Sequence, residues 1–403
     1  MAVIQRERTR ADRVAAFGAA VAILGMLTLP LAQYAENRIS IGAHAPTYLW
    51  SAVPAAWVLL LIAVSALAAS LAPLGERRGL LLKLGSSALV VALAWVLGAT
   101  AVPLLAQDAT GYARVSMGLG AWAVIVGVAV IDFSSRKREY GMRAARGAVT
   151  LAMVAGIVAA AVWGNLLRLS IFVEYKAQSD LFWASALQHV GLAGSGLVLG
   201  AIIGVPLGIL ASRNRVLRDV ALGVTGVIQT LPSLALLGLL IVPLATLVAA
   251  HPLLGRLGIE GIGAAPAIIA LTVYALLPVV RNTYVGIAGV DPGAIDAGRG
   301  MGMNGGQLLM RVQLPLAMPL VIEGLRAAAV LVIGIAVVTA FVGAGGLGVL
   351  IVLGLGQQAQ DLILLGAIPV VILAVFADVA LRGLARVVVS PGIRSDLVDG
   401  KTR

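Results

Sequence analysis

The stretch DAGRGMGMNGGQLLMRVQLPLAMP, residues 296–319, lies between two long apolar runs and belongs to neither. It carries glycines that a helix interior disfavours, the prolines Pro315 and Pro319, and only Asp296, Arg299 and Arg311 as charges. Its chemistry predicts a hairpin. Asp291-Pro292 turns the chain out of the preceding run. Residues 294–301 then form a short helix with Asp296 near its N-terminal end, where the helix dipole favours a carboxylate. Gly302 ends that helix, because glycine accepts the left-handed conformation that reverses a chain. Gln307, Leu308, Leu309, Met310 and Val312 make a second, partly apolar helix, closed by Leu314-Pro315 before the next run. Ala297 and Gly298 stand on the exposed front of a knob shaped for a groove on another protein. A long connecting loop is the plain alternative, and the residues alone do not choose between them.

The surroundings set the context. The chain has 403 residues, 60% of them hydrophobic and only 12% charged, with a mean hydropathy of +1.02. Apolar runs of about 20 residues recur throughout, the length of helix that crosses a bilayer while satisfying its own backbone. The fold class is therefore an all-α integral membrane protein. Ten spans are expected, at 14–32, 49–72, 84–106, 115–132, 148–169, 186–211, 219–247, 264–285, 319–342 and 361–383. The net charge of +11 is distributed unevenly between the connections. Arg6, Arg8, Arg10, Arg13, Arg77, Arg78, Lys83, Arg136, Lys137, Arg138, Arg143 and Arg146 fall on one side of the first five spans. Arg213, Arg215, Arg218, Arg281, Arg299, Arg311, Arg326, Arg382, Arg386, Arg394, Lys401 and Arg403 continue the same side. Of the 29 basic residues only Arg38, Arg114, Arg168, Lys176 and Arg256 depart from it. This asymmetry places both termini and the 296–319 stretch in the cytoplasm. The basic excess is thus a topology signal and not a nucleic-acid footprint.

The chain has no cysteine, which excludes disulfides and thiolate chemistry. His44, His189 and His251 are too far apart to suggest a metal site. The basic start and the first apolar run, followed by Ala32-Gln33-Tyr34-Ala35, imitate a signal peptide. The run is longer than a signal core and nine more follow, so it reads as a retained anchor. Two regions divide the chain: 1–178 with five spans joined by short loops, and 179–386, with 387–403 as a cytoplasmic tail. IFVEYKAQSDLFWA (171–184) reads as an outside loop with an interfacial helix anchored by Tyr175 and Trp183. GLAGSGLVLGAIIGVPLG (191–208) is a small-residue face suited to close helix packing in lipid.

The 296–319 stretch resembles the cytoplasmic loop of bacterial ABC importer permeases, with its pattern EAA, three residues, G, nine residues, I-x-LP. Here Asp296-Ala297-Gly298, Gly302 and Val312-Gln313-Leu314-Pro315 keep that spacing, with Asp for Glu, Gly298 for the second Ala and Val312 for Ile. The resemblance covers about 181–386 and extends to IQTLPSLALLGLLI (228–241), LPLAMPLVIEGLRAA (314–328) and FVGAGGLGVLI (341–351). Together these are similar to the glycine betaine/choline/carnitine branch, and residues 1–170 to its YehY type with extra N-terminal spans. The resemblance implies a C-terminal five-helix type-1 permease core and transport of glycine betaine or choline across the inner membrane. A permease for methionine or another small amino acid shares the loop and is the runner-up; a secondary transporter without an ATPase would leave the loop unexplained.

The same resemblance implies no enzyme activity and no cofactor in this chain. ATP and Mg would be bound by cytoplasmic ABC ATPase subunits, and the solute delivered by a periplasmic or lipid-anchored binding protein. A second permease copy or a shorter paralogous permease would complete the pore. Asp296, Ala297, Gly298, Arg299, Gly302, Val312, Leu314 and Pro315 would then form the ATPase-coupling loop. Gln229, Thr230, Pro232 and Ser233 interrupt the seventh span, as a translocation path or as a packed kink; Thr272, Tyr274 and Pro278 are weaker candidates of the same kind. Gly400-Lys401-Thr402 is no phosphate loop, because Ser395 stands where its first glycine is needed. GAGGLG (343–348) has no strand before it and reads as a broken, re-entrant connection. Glu323 with Arg326 and Asp378 with Arg382 are spaced to neutralise each other on their own helices.

Overall fold

A computed structural model describes residues 11–37, 45–74, 77–106, 108, 111–136, 143–256 and 258–388. Arg6, Arg8, Arg10, Arg38, Lys137, Arg138, Arg394, Lys401, Arg403, His44, the 395–402 segment and all but the start of the 387–403 tail lie outside these residues. Among the described residues, eight helices are long and apolar enough to cross a membrane. Two shorter apolar helices, Arg13–Thr28 and Leu119–Ser135, make up the ten expected. The chain divides into two units, 1–177 with 357–361, and 178–356 with 362–403.

In the first unit, helix α1 (Arg13–Thr28) begins where Asp12 accepts from the Ala15 N–H at 3.0 Å. The same carboxylate accepts from Ser134 Oγ at 2.7 and 2.8 Å, at the end of α4 (Leu119–Arg136). A Cβ on Gly25 would lie 2.2 Å from that of Ala123, so α1 and α4 meet backbone to backbone. Helices α2 (Trp57–Leu71), α3 (Arg77–Leu105) and α5 (Arg143–Val162) complete the bundle. Lys83 pairs with Asp132 at 2.8 Å across α3 and α4. Met26, Leu59, Leu89, Leu93 and Val124 fill its centre.

One feature departs from an all-helical expectation. Strands β1 (Ala32–Ala35), β2 (Ala45–Thr47) and β3 (Arg114–Met117) form an antiparallel sheet in the order β2-β1-β3. Strands of three or four residues satisfy connection backbone against one another without a periodic signature. The 171–184 segment, expected as an outside loop with an interfacial helix, is helical on both sides of a turn at Gln178. Helix α6 (Ser170–Ala177) ends one unit and α7 (Ser179–Arg213) starts the other, with Trp183 edge-on to Phe182 at 5.3 Å.

The second unit is built on α7 and α10 (Ala264–Ala288). Gly196, Gly200, Gly204 and Gly208 recur every fourth residue and turn one backbone stripe of α7 onto Leu271, Ala275, Val279 and Thr283. A Cβ at Gly200 would stand 2.5 Å from that of Ala275. The seventh expected span is two helices, α8 (Arg215–Thr230) and α9 (Ser233–Ala250), because the chain breaks at Leu231-Pro232. Then come α11 (Pro292–Gly300), α12 (Leu314–Ile335), α13 (Gly348–Gly356) and α14 (Gln360–Val388). Helix α12 lies close on α10, where Cβ atoms at Gly324 and Gly286 would meet the Pro278 and Ala317 carbonyl oxygens at 2.8 and 3.1 Å. Leu192, Leu237, Leu271, Val279 and Val332 form the core.

Candidate functional site

The hairpin between α10 and α12 is built from caps. Asp291 accepts from the Gly293 N–H at 2.8 Å and Pro292 opens α11, needing no donor at that position. The capping carboxylate is therefore Asp291 and not Asp296, which sits mid-helix, exposed, 3.4 Å from Arg299. Gly302 ends the helix with φ +77°. Its N–H donates to the Arg299 carbonyl at 2.9 Å and that of Met303 to Gly298 at 3.2 Å, the paired bonds of a Schellman motif. Asn304 and Gln307 then cap each other's backbone at 2.9 and 3.0 Å, starting the short helix Gly305–Leu308.

Two expectations about the hairpin change. Leu314-Pro315 does not close the second helix. Residues 305–335 run on as one helix through a π turn at Leu309–Gln313, whose wider spacing absorbs the N–H missing at Pro315. Gly298 is not on the exposed front either: it is buried, and a Cβ there would meet Leu308 Cδ1 at 2.7 Å and Val312 Cγ2 at 3.5 Å. Ala297 is exposed, as are Met301 and Met310 at 70% and 64%. The front of the hairpin is thus Asp296, Ala297, Arg299 and these methionines, while Gly298 and Val312 clasp its two arms.

Gln229, Thr230, Pro232 and Ser233 all lie at the break between α8 and α9, and two prolines explain what is bonded there. The Leu231 carbonyl, left outside α8, accepts from the Tyr274 hydroxyl at 2.7 Å. In return Gln229 Nε2 donates to the Tyr274 carbonyl at 3.3 Å. That carbonyl has no intrahelical donor because position 278, four residues on, is proline. Each broken helix is thereby healed by the other. Thr230 turns back on Val227 at 2.7 Å, and Thr230 and Pro232 are exposed. Thr272 bonds back within its own helix.

After α12 the chain passes a 3-10 turn, Val338–Val342, and a run of glycines with φ +74° at Gly343, +80° at Gly345 and +82° at Gly346. Gln188 of α7 holds this broken connection from both ends of its amide. Its Nε2 donates to the Ala344 carbonyl at 2.8 Å and its Oε1 accepts from the Gly346 N–H at 3.2 Å.

Residues 196–390 match the family described as binding-protein-dependent transport system inner membrane component, and residues 12–172 the N-terminal domain of the ABC transporter permease YehY. The carnitine transport permease protein OpuCB of Listeria monocytogenes is 44% identical over 197 residues, 49% of this chain and 83% of that protein. The chain belongs to the ABC permease family. The osmoprotectant import permease protein OsmW of Salmonella typhimurium is 39% identical over 223 residues, 55% of this permease and 99% of that protein. The glycine betaine/carnitine/choline permease OpuCB of Bacillus subtilis is 38% identical over 207 residues, 51% and 88%.

The permease brings together more than its local patterns announce. Glu323 and Arg326 pair at 2.7 Å, and Asp378 and Arg382 at 2.8 Å. Arg326 Nε also reaches Asp378 Oδ1 at 3.1 Å, joining α12 to α14. Nothing in the sequence marks that pair, because its members stand on different helices and the local partners already balance each charge. The Gln188 clamp is equally silent, since a lone glutamine within a helix carries no spacing. No group of three acidic or histidine side chains suited to a metal occurs among the described residues.

Proposed function

We propose that this chain is the membrane-spanning subunit of an ABC importer that moves a small osmoprotectant, glycine betaine or choline, across the inner membrane. It sits there with both termini in the cytoplasm. The observation that carries the reading is the 39% identity over nearly the full length of an osmoprotectant import permease. That identity also favours the osmoprotectant over methionine or another amino acid. The hairpin from Asp291 to Pro315 seats in a cytoplasmic ATPase, which binds ATP and Mg. Asp296, Ala297 and Arg299 face the partner, Gly302 makes the turn, and Gly298, Val312, Leu314 and Pro315 hold the hairpin on α12. A binding protein delivers the solute on the other side, and a second permease, either another copy or a shorter paralogue, completes the pore. Gln229, Thr230, Pro232 and Ser233 lie on the translocation path, at a broken span where Thr230 and Pro232 are exposed.

The test is co-purification of the tagged chain from its native membrane beside Ala297→Trp. Ala297 is exposed on α11, so the indole blocks a groove without straining the backbone, as any side chain at Gly302 would. An ATPase subunit should accompany the wild type and be lost from the variant, and the wild-type complex should take up labelled glycine betaine in preference to methionine. Retention by both forms removes the hairpin from coupling. Absence from both favours a transporter that needs no ATPase.

A further inference from the structure

The four charges Glu323, Arg326, Asp378 and Arg382 form one alternating chain, and its middle bond is the part that local spacing does not require. Glu323 and Arg382 each engage a neighbour three or four residues away on the same helix, which fixes the rotamers of Arg326 and Asp378. So held, the two face each other across α12 and α14 with side chains 27% and 23% exposed. Beyond Glu323 and Arg382 the sequence neighbours are apolar, with Ile322 buried on α12 and Val375, Phe376 and Val379 exposed on α14. At such a site either charge alone is costly, so the pair resists separation far more than an ion pair in water.

Position along α12 gives this bond a mechanical meaning. The helix runs unbroken from Gly305, inside the hairpin, to Ile335. Arg326 stands 12 residues beyond Leu314, about 18 Å up the rod at 1.5 Å per residue. Any displacement of the hairpin reaches Arg326 through a continuous helix. Helix α10, which enters the hairpin from the other side, is already locked to α12 by the close approach at Gly324 and Pro278. Helix α14 does not enter the hairpin and follows α12 only through the broken connection and α13, and it presents the exposed apolar residues Val371, Ile372, Val375, Phe376 and Val379. Such a face slides freely in lipid. Helix α14 packs closely on α13, where a Cβ at Gly366 would stand 2.7 Å from Ile351 Cγ1, and the bond to Arg326 is what ties it directionally to α12.

We propose that Arg326 is a positioning residue which, through Asp378, makes α14 move with the hairpin when the ATPase closes. The inference rests on the coupling reading given above. Its test uses the full chain reconstituted with its ATPase and binding protein, reading glycine betaine carried per ATP hydrolysed. Arg326→Gln and Asp378→Asn should each lower that ratio at least about fivefold, with the ATPase subunit still co-purifying. A purely structural role would instead lower yield and both activities together.

The rescue reverses the whole chain, as Glu323→Arg, Arg326→Glu, Asp378→Arg and Arg382→Glu, and should restore the ratio. Should that variant not assemble, Arg326→Cys with Asp378→Cys joined by a short bifunctional thiol reagent replaces it, which is clean because the chain has no other cysteine. Unchanged ratios in the single variants, or rescue that fails to raise them, overturn the inference alone. A wild type that retains no ATPase overturns the coupling reading and this inference together.

Discussion

Gly298 takes the place of an alanine in the permease loop pattern, and its surroundings explain the exchange. Alanine would be favoured in the helix by up to about 1 kcal/mol, but its Cβ would stand 2.7 Å from Leu308 Cδ1. That atom is the tip of a flexible side chain, so the two effects offset each other. Gly298→Ala should leave the thermal midpoint of the purified chain almost unchanged, while Gly298→Val, with two γ carbons in the same gap, should cost about 1–3 kcal/mol and weaken ATPase retention. An equal loss from both would mean that the clasp with Leu308 is not what sets this position. At the broken span the decisive atom is the Tyr274 hydroxyl. Tyr274→Phe removes the donor to the Leu231 carbonyl and nothing else, so it should destabilise by about 1 kcal/mol, the scale of an interhelical hydrogen bond in a membrane. A midpoint equal to wild type would show that another donor takes over at Leu231.

At the scale of elements, contact is made by backbone brought close, and α7 against α10 is the clearest case. Gly200→Leu must push Ala275 away or open the helix pair, so overpacking of about 1–3 kcal/mol is expected, read as a lowered thermal midpoint. Gly191, where a Cβ meets nothing, is the control and should tolerate leucine. Elements also show what a sequence carries. Ten apolar helices were legible because length and hydropathy report directly on crossing a bilayer. The break inside 219–247 was not, because proline alone does not break a span: Pro103, Pro206, Pro243, Pro278 and Pro369 all lie inside helices. What distinguishes Pro232 is that the Leu231 carbonyl before it has a partner in Tyr274, 43 positions on. The hairpin's turn at Gly302 was readable from a local rule about φ, whereas the burial of Gly298 and the Arg326–Asp378 bond depend on packing that no local rule contains. The small sheet was hidden by strands too short to show alternation.

At the scale of the whole molecule, the question is what residues 1–177 contribute. They close a hydrophobic core of their own around Met26, Leu59, Leu89 and Val124, and the second unit closes another around Leu192, Leu271, Val279 and Val332. A relative matched over 99% of its own length aligns with only 55% of this chain, so a permease of this kind is complete without the first unit's spans. The hairpin, the joint at Tyr274, the Gln188 clamp and the Arg326–Asp378 bond all use residues of the second unit. A chain begun at residue 178 with an added initiator methionine should therefore insert, retain the ATPase subunit and carry glycine betaine in proteoliposomes. It loses the packing of residues 357–361, which group with the first unit, including the Ser116–Asp361 hydrogen bond of 2.5 Å. Transport at a rate comparable to the full chain would make residues 1–177 an accessory to regulation or assembly. Abolished transport with the ATPase still bound would instead place part of the solute's route, or the binding protein's dock, in the first unit.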